Sequence, residues 1–264
     1  MGEAKPIYTV DSFTSEPFRG NSAGVCLLAE PASEQWMQSV AGELRHSETA
    51  FLLGRSLRWF TPAAEVALCG HATLATAHVL YSTGAASGPV EFDTLSGTLV
   101  VRPDASDGSI SMDFPALPPT EADPPAGLIE AMGVRPAWVG RSRFDYLIEV
   151  GSVDEVLAAE PDFAALLGVE TRGVIVTAAS AEPGTSGADF VSRFFAPAVG
   201  VPEDPVTGSA HCSLAPYWSA KLGRPDLTGA QLSKRRGVVR TQLAGDRVRL
   251  SGHAVTVWSG QLLI

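Results

Sequence analysis

Cysteine is scarce in this chain: Cys26, Cys69 and Cys212 are the three in 264 residues. An odd number without paired ligand spacing supports neither a disulfide framework nor a zinc motif, so no metal site is expected from it. Positive charge is also in short supply. Nineteen Lys and Arg stand against 29 Asp and Glu, a net charge of −10, which argues against a nucleic-acid footprint. The densest basic cluster, Lys234-Arg235-Arg236, is too short to change that and reads as a charged loop or strand end. No run approaches the ~18 apolar residues of a membrane span, and Met1-Gly2-Glu3-Ala4-Lys5-Pro6 lacks an apolar signal core. A soluble, cytoplasmic protein with no nucleic-acid or membrane partner is expected.

Apolar side chains make up 45% of the residues, and a chain this long buries roughly 70–75% of its unfolded surface, so its core needs no staple. Ile7 to Phe13 alternates as a strand, and Gly20-Asn21 marks a turn before the apolar Ala23 to Leu28. Pro31 to Arg45 reads as a helix capped by Ser33, with Trp36, Met37, Val40, Ala41 and Leu44 on one face. Thr49 to Leu53 reads as a buried strand with Glu48 at its entrance. Such a carboxylate is either a surface acid or a partly desolvated acid/base group, since desolvation moves a carboxyl towards neutrality.

Gly70 before His71 opens a second helix that continues through Leu74, Ala75, Ala77, His78 and Val79. A helix N-terminus opposes added positive charge, so His71 is expected neutral there, either as a functional group or as a packed or capping histidine. Strand signals then run from Val90 to Phe114. Further on, Glu203-Asp204-Pro205-Val206-Thr207-Gly208-Ser209-Ala210-His211 reads as a loop feeding a helix. The proline disfavours helical geometry at Asp204. The helix start offers unpaired N–H groups to a carboxylate or phosphate, or else is a plain cap beside a solvated acid. Pro216 should bend or shorten this helix.

An internal echo links the two helix starts. Arg193-Phe194-Phe195-Ala196-Pro197-Ala198 matches Arg58-Trp59-Phe60-Thr61-Pro62-Ala63 at an offset of 193 − 58 = 135. The same offset carries Cys69 onto Asp204, and an insertion of about three residues then aligns Gly70-His71-Ala72 with Gly208-Ser209-Ala210. Two copies are too few for a solenoid. They fit a duplicated domain, broken in the proline-rich Pro115 to Pro125, with Glu48, His71, Asp204 and Ser209 at a shared cleft.

These motifs resemble the phenazine-biosynthesis PhzF-like isomerase family, relatives of diaminopimelate epimerase. The residues that carry the likeness are Val10-Asp11-Ser12-Phe13, Phe18-Arg19-Gly20-Asn21, Ser47-Glu48-Thr49-Ala50-Phe51, Phe60-Thr61-Pro62, Cys69-Gly70-His71-Ala72-Thr73, Arg193 to Pro197, and Glu203 to His211. The resemblance implies an α+β fold of two pseudo-symmetric halves, each a curved, mostly antiparallel sheet wrapped round a central helix, with the active site in the cleft between them. The halves would be residues 1–116 with 254–264, and 117–253, the last strand crossing back to the first half. It also implies a homodimer and cofactor-independent proton transfer on a small carboxylate or amino acid. Matched by motif, Glu48, His71, Asp204 and Ser209 are the catalytic set, and Asn21, Gly70, Thr207 and Gly208 bind substrate.

An epimerase or racemase and a non-catalytic carboxylate binder are the alternatives. The two-thiol epimerases need a cysteine at both equivalent sites, and here Cys69 is paired with Asp204. Cys69 itself reads as a small buried residue. The chain departs from the family at Lys234-Arg235-Arg236-Gly237, where relatives more often carry Gln-Arg-Gly-Gly.

Overall fold

The computed structural model describes residues 5–180 and 187–263. Met1 to Ala4 and Ile264, which enter the readings of the N-terminus and the last strand, lie outside the described residues. The chain forms two compact units, Met1–Asp113 with Ser251–Ile264, and Phe114–Leu250.

In the first unit, β1 (Lys5–Ser12) pairs antiparallel with β2 (Asn21–Leu28). A helix, α1 (Glu34–Leu44), leads to β3 (Glu48–Leu53), which runs parallel to β2. Ser33 caps α1 by accepting the Trp36 amide at 3.2 Å, and Arg45 ends it in the left-handed region at φ 55°. Antiparallel β4 (Ser56–Phe60) and the short β5 (Glu65–Val66) follow, then helix α2 (Gly70–Ser82). The strands β6 (Val90–Thr94), β7 (Gly97–Pro103) and β8 (Ile110–Pro115) form a meander, with β6 parallel to β4.

In the second unit, β9 (Thr120–Glu121) precedes α3 (Leu128–Met132) and β10 (Trp138–Arg141). Then come β11 (Asp145–Glu149), α4 (Val153–Leu157), α5 (Phe163–Leu166) and β12 (Gly173–Ala179). They are followed by β13 (Phe190–Ala196), β14 (Val201–Asp204), α6 (Gly208–Leu222), β15 (Asp226–Gln231), β16 (Gly237–Ala244) and β17 (Arg247–Gly252). The last strand, β18 (Ala254–Leu262), pairs antiparallel with β1 and so completes the first unit.

Both units repeat one pairing scheme. The order antiparallel, parallel, antiparallel, antiparallel describes β1–β2–β3–β4–β5 and equally β10–β11–β12–β13–β14. The parallel pair that skips the central helix recurs as well, β4 with β6 and β13 with β15. Two such halves are the diaminopimelate epimerase-like α+β fold.

Each sheet is covered on both faces, which explains its near-continuous apolar strands. In the first unit α1 sets Met37, Val40 and Ala41 against Ile7, Cys26, Phe51 and Phe60. The helix α2 is buried nearly all round, from His71 to Ala77, as a central helix of small residues must be. In the second unit α6 packs Ala210, Leu214, Tyr217 and Trp218 on Leu147, Ile175 and Phe190. The short helices α3 to α5 cover the opposite face through Leu128, Val156 and Leu166.

Pro216 neither ends nor shortens α6, which runs 15 residues through it. A proline at that place removes the N–H that would reach the Cys212 carbonyl one turn earlier. That carbonyl instead accepts the Leu117 backbone N–H at 2.9 Å, so the helix continues with its acceptor satisfied.

Candidate active site

In the first unit, the entrance of β3 and the first turn of α2 bring Glu48 and His71 together. His71 Nε2 lies 3.2 Å from Glu48 Oε2, with the two side chains 8% and 18% exposed. The approach is close but off the donor direction, and His71 Nε2 makes no hydrogen bond to a described residue. Burial lowers the His71 pKa to about 3, with the charge of His46 acting in the same sense. The ring is therefore neutral, as the helix position suggests, but desolvation rather than the helix dipole is the leading cause.

The backbone beneath this pair is tightly held. The Ser12 hydroxyl donates to the His71 carbonyl at 2.8 Å. Asn21 is wholly buried and accepts from the Ser47 hydroxyl at 3.3 Å, so it supports the chain just before Glu48. Gly20, at φ +63°, is required there, because a Cβ would meet the Ser12 carbonyl oxygen at 2.1 Å. Cys69 is the N-cap residue of α2 and makes no side-chain cap bond. Its Sγ lies 3.5 Å from His71 Nδ1. The amides of Gly70, His71 and Ala72 precede the first intrahelical bond, Thr73 N–H to Cys69 C=O, and so find no acceptor within the helix.

In the second unit, Thr207 caps α6 in the same manner, without a side-chain bond to the helix. Its hydroxyl donates instead to Asp204 Oδ2 at 2.5 Å. Asp204 is thus tied to the turn rather than acting as the helix cap. Gln231, fully buried at the end of β15, holds this turn by three bonds. It accepts the Thr207 N–H at 2.8 Å and donates to the Asp204 carbonyl at 2.7 Å and to the Thr207 hydroxyl at 3.1 Å.

Ser209, in the first turn of α6, accepts from Arg172 Nη2 at 3.1 Å. That leaves its own O–H as a donor for a ligand. Arg172 also donates through Nε to Asp145 Oδ1 at 2.8 Å, and through Nη2 to Asp145 Oδ2. Burial pushes the Asp145 carboxyl above its ordinary value, with the Arg172 guanidinium opposing the shift. Phe144 and Phe194 flank the guanidinium, their ring centres 5.1 and 5.6 Å away.

The two half-sites correspond by register, which corrects the sequence alignment. Arg58 grips Glu65 with bonds of 2.6 and 2.7 Å, and Arg193 grips Glu203 with bonds of 2.7 and 3.1 Å. From glutamate to helix start the spacing is identical, 70 − 65 = 5 and 208 − 203 = 5. From arginine to glutamate it differs, 65 − 58 = 7 against 203 − 193 = 10. The three extra residues therefore lie before Glu203, where the 3-10 turn Pro197–Val199 sits. Thr207, not Asp204, occupies the place of Cys69, and both residues are helix N-caps. Ser209 stands where His71 stands.

The strands extend the correspondence, with Phe51 opposite Arg58 and Val176 opposite Arg193. Glu48 then corresponds to Gly173, where a Cβ would meet the Phe194 ring at 2.4 Å, and Ser47 to Arg172. The second half accordingly has no carboxylate at the position of Glu48.

Sequence reading missed Arg172, Asp145 and Gln231. Arg172 had a signal, since it precedes a buried strand as Ser47-Glu48 does. Gln231 and Asp145 had none nearby, their partners lying 24 to 27 residues away. The unusual Arg236 adopts the left-handed conformation, φ 56°, where a glycine is more at ease. Its N–H bonds the Ser233 hydroxyl at 3.1 Å, and that hydroxyl donates to the Pro205 carbonyl at 2.7 Å. The basic turn thus braces the Asp204 loop.

The sequence pattern of the phenazine biosynthesis-like protein family matches residues 10–260. An uncharacterised isomerase of Halalkalibacterium halodurans is 48% identical over 98% of both chains. The crystal structure of a phenazine biosynthesis PhzC/PhzF protein from Clostridium difficile superposes with a TM-score of 0.91 at 40% identity, covering 99% of this chain and 100% of that one. A PhzF-family protein from Enterococcus faecalis gives 0.93 at 36% identity, with the same coverage. By fold and by sequence, the chain belongs to the phenazine biosynthesis-like, PhzC/PhzF family.

Proposed function

We propose that this protein is a cofactor-independent isomerase that moves a proton, and with it a double bond, within a small unsaturated or cyclic amino acid or carboxylic acid. The observation that carries the reading is the half-buried Glu48 set 3.2 Å from a buried, neutral His71. The Glu48 carboxylate takes a proton from a carbon acidified by the neighbouring unsaturation, becomes the neutral acid, and returns the proton to another carbon of the same system. No electrons leave the substrate, so no oxidant or reductant is needed. A single carboxyl lying over one face can carry out both steps.

The remaining residues have supporting roles. In each unit the amides at the helix start, at Gly70 in the first and at Gly208 in the second, offer a seat for a carboxylate, and fixed donors of this kind are worth on the order of 3–4 kcal/mol each to an electron-rich intermediate. The neutral His71, Asp204 with Thr207, and Ser209 orient polar substituents or relay a second proton, over the buried Asn21. In this reading the protein works as a cytoplasmic homodimer in a biosynthetic process, such as formation of phenazines or other secondary metabolites.

An epimerase is less well supported, because inversion from two faces needs a second base. The place of Glu48 in the other half is Gly173, and that of Cys69 is Thr207. A plain carboxylate binder would have no use for an acid beside a neutral imidazole. The test is to incubate unsaturated amino and carboxylic acids with the protein in heavy water and follow carbon-bound deuterium by NMR. Exchange that disappears in Glu48→Gln supports the assignment. Exchange at the wild-type rate in that variant refutes it, and ligand shifts without any exchange would identify a binder.

A further inference from the structure

Glu48 lies some twenty residues before Cys69 and His71 in the chain, yet one ligand atom from each of the three lies within 4.8 Å of the others. They are a hard carboxylate, a soft thiol and an imidazole, and all belong to the first unit. We propose that this cluster is a binding site for a thiophilic divalent cation of the zinc class, with Cys69 Sγ, His71 Nδ1 and the Glu48 carboxylate as the protein ligands.

The thiol–imidazole edge fits a tetrahedral ion. With Zn–S of about 2.3 Å and Zn–N of about 2.05 Å, the S···N edge of a tetrahedron is about 3.6 Å. The observed Cys69 Sγ to His71 Nδ1 separation is 3.5 Å. The Glu48 carboxylate, within 4.8 Å of the other ligand atoms, completes the set by a side-chain rotation. The Glu48 side chain keeps 18% of its surface exposed, so solvent reaches this ligand. Three protein ligands and one open position is the arrangement of exchangeable rather than structural zinc.

The surroundings favour occupancy. Cys69 binds as thiolate, its proton leaving to solvent as the sulfur–metal bond forms, and the start of α2 stabilises that negative charge. The Ser12 hydroxyl on the His71 carbonyl holds the ligating turn in place. Since Glu48 and His71 are also the proposed proton-transfer groups, a bound ion takes up the lone pairs that the reaction uses.

Titrating Co2+ into the metal-free full-length protein tests the site without any substrate. One equivalent should produce a thiolate-to-cobalt charge-transfer band with the strong visible absorption of tetrahedral cobalt, and Zn2+ should displace it. Cys69→Ser and Cys69→Ala, each checked for native circular dichroism, should lose the band and bind Zn2+ about 100-fold or more weakly in equilibrium dialysis. Glu48→Gln should keep the band and lose about tenfold in affinity or more. A folded Cys69 variant that keeps the band, or wild-type protein that binds Zn2+ no more tightly than those variants, overturns the proposal. Zinc that stops deuterium exchange supports it further. Zinc that binds with the band yet leaves exchange running refutes Glu48 as the base while the metal site stands.

Discussion

Replacing Arg172 with methionine is the sharpest probe of the second half-site. The change keeps an unbranched stem but removes the guanidinium from between Phe144 and Phe194 and from Asp145, whose side chain is 0% exposed. Stranding one partner of a buried ion pair costs about 3–5 kcal/mol. Arg172 is itself 33% exposed, so water already screens part of its interaction, and the low end, about 3 kcal/mol, is expected.

The sign of the pH dependence follows from Asp145. Its folded pKa is already raised by burial, and loss of Arg172 removes the groups that hold it down. A carboxyl with a raised folded pKa is least unfavourable below its unfolded value, and stability is lost as pH rises through the folded value. The defect of Arg172→Met should therefore be full at pH 7 and shrink as pH falls towards about 4. Urea denaturation at a series of pH values measures it. Adding Asp145→Leu should restore stability to within about 1 kcal/mol. A loss under about 1 kcal/mol that does not change with pH would refute the argument that this pair is buried and coupled.

Three further outcomes follow from named contacts. Gln231→Met deprives the Thr207 amide and hydroxyl and the Asp204 carbonyl of their partner. It should lower the denaturation midpoint by the equivalent of about 2–3 kcal/mol and weaken ligand binding at α6 as followed by NMR. Arg236→Gly relieves a left-handed non-glycine residue and should stabilise the fold by up to about 1 kcal/mol in the same urea assay. His71 and His211 are held by burial at about 3 and about 4, below the ordinary value of about 6.5. The unfolded chain then binds more protons than the folded one in that window, so stability falls as pH drops from about 6.5. His211→Asn, which keeps a donor towards the Thr207 carbonyl, should flatten the acid limb of a thermal-stability profile.

Short-range physics made much of the protein legible in its sequence. The Ser33 cap, the apolar face from Trp36 to Ala41 and the glycine at the start of each central helix are local signals, and α1, α2 and α6 begin where these signals put them. The repeated Arg-aromatic-Phe strands revealed the duplication, because equivalent strands face equivalent packing. Glu48, His71, Asp204 and Ser209 were visible as residues for the same reason: each sits at the edge of a recognisable element.

Tertiary structure decided the rest. A three-residue insertion has no local signature, so only the two Arg–Glu pairs could show that it precedes Glu203 and that Thr207 replaces Cys69. Whether Glu48 is a surface acid or a site group depends on what packs over it, and His71 lies 3.2 Å from it only because β3 and α2 meet. The neutrality of His71 comes from desolvation, a property of the whole packed unit. Arg172, Asp145 and Gln231 act across 24 to 37 residues of chain. Periodicity reports the neighbours within one element, whereas burial, charge pairing and the distances that make chemistry are set by elements far apart in the sequence.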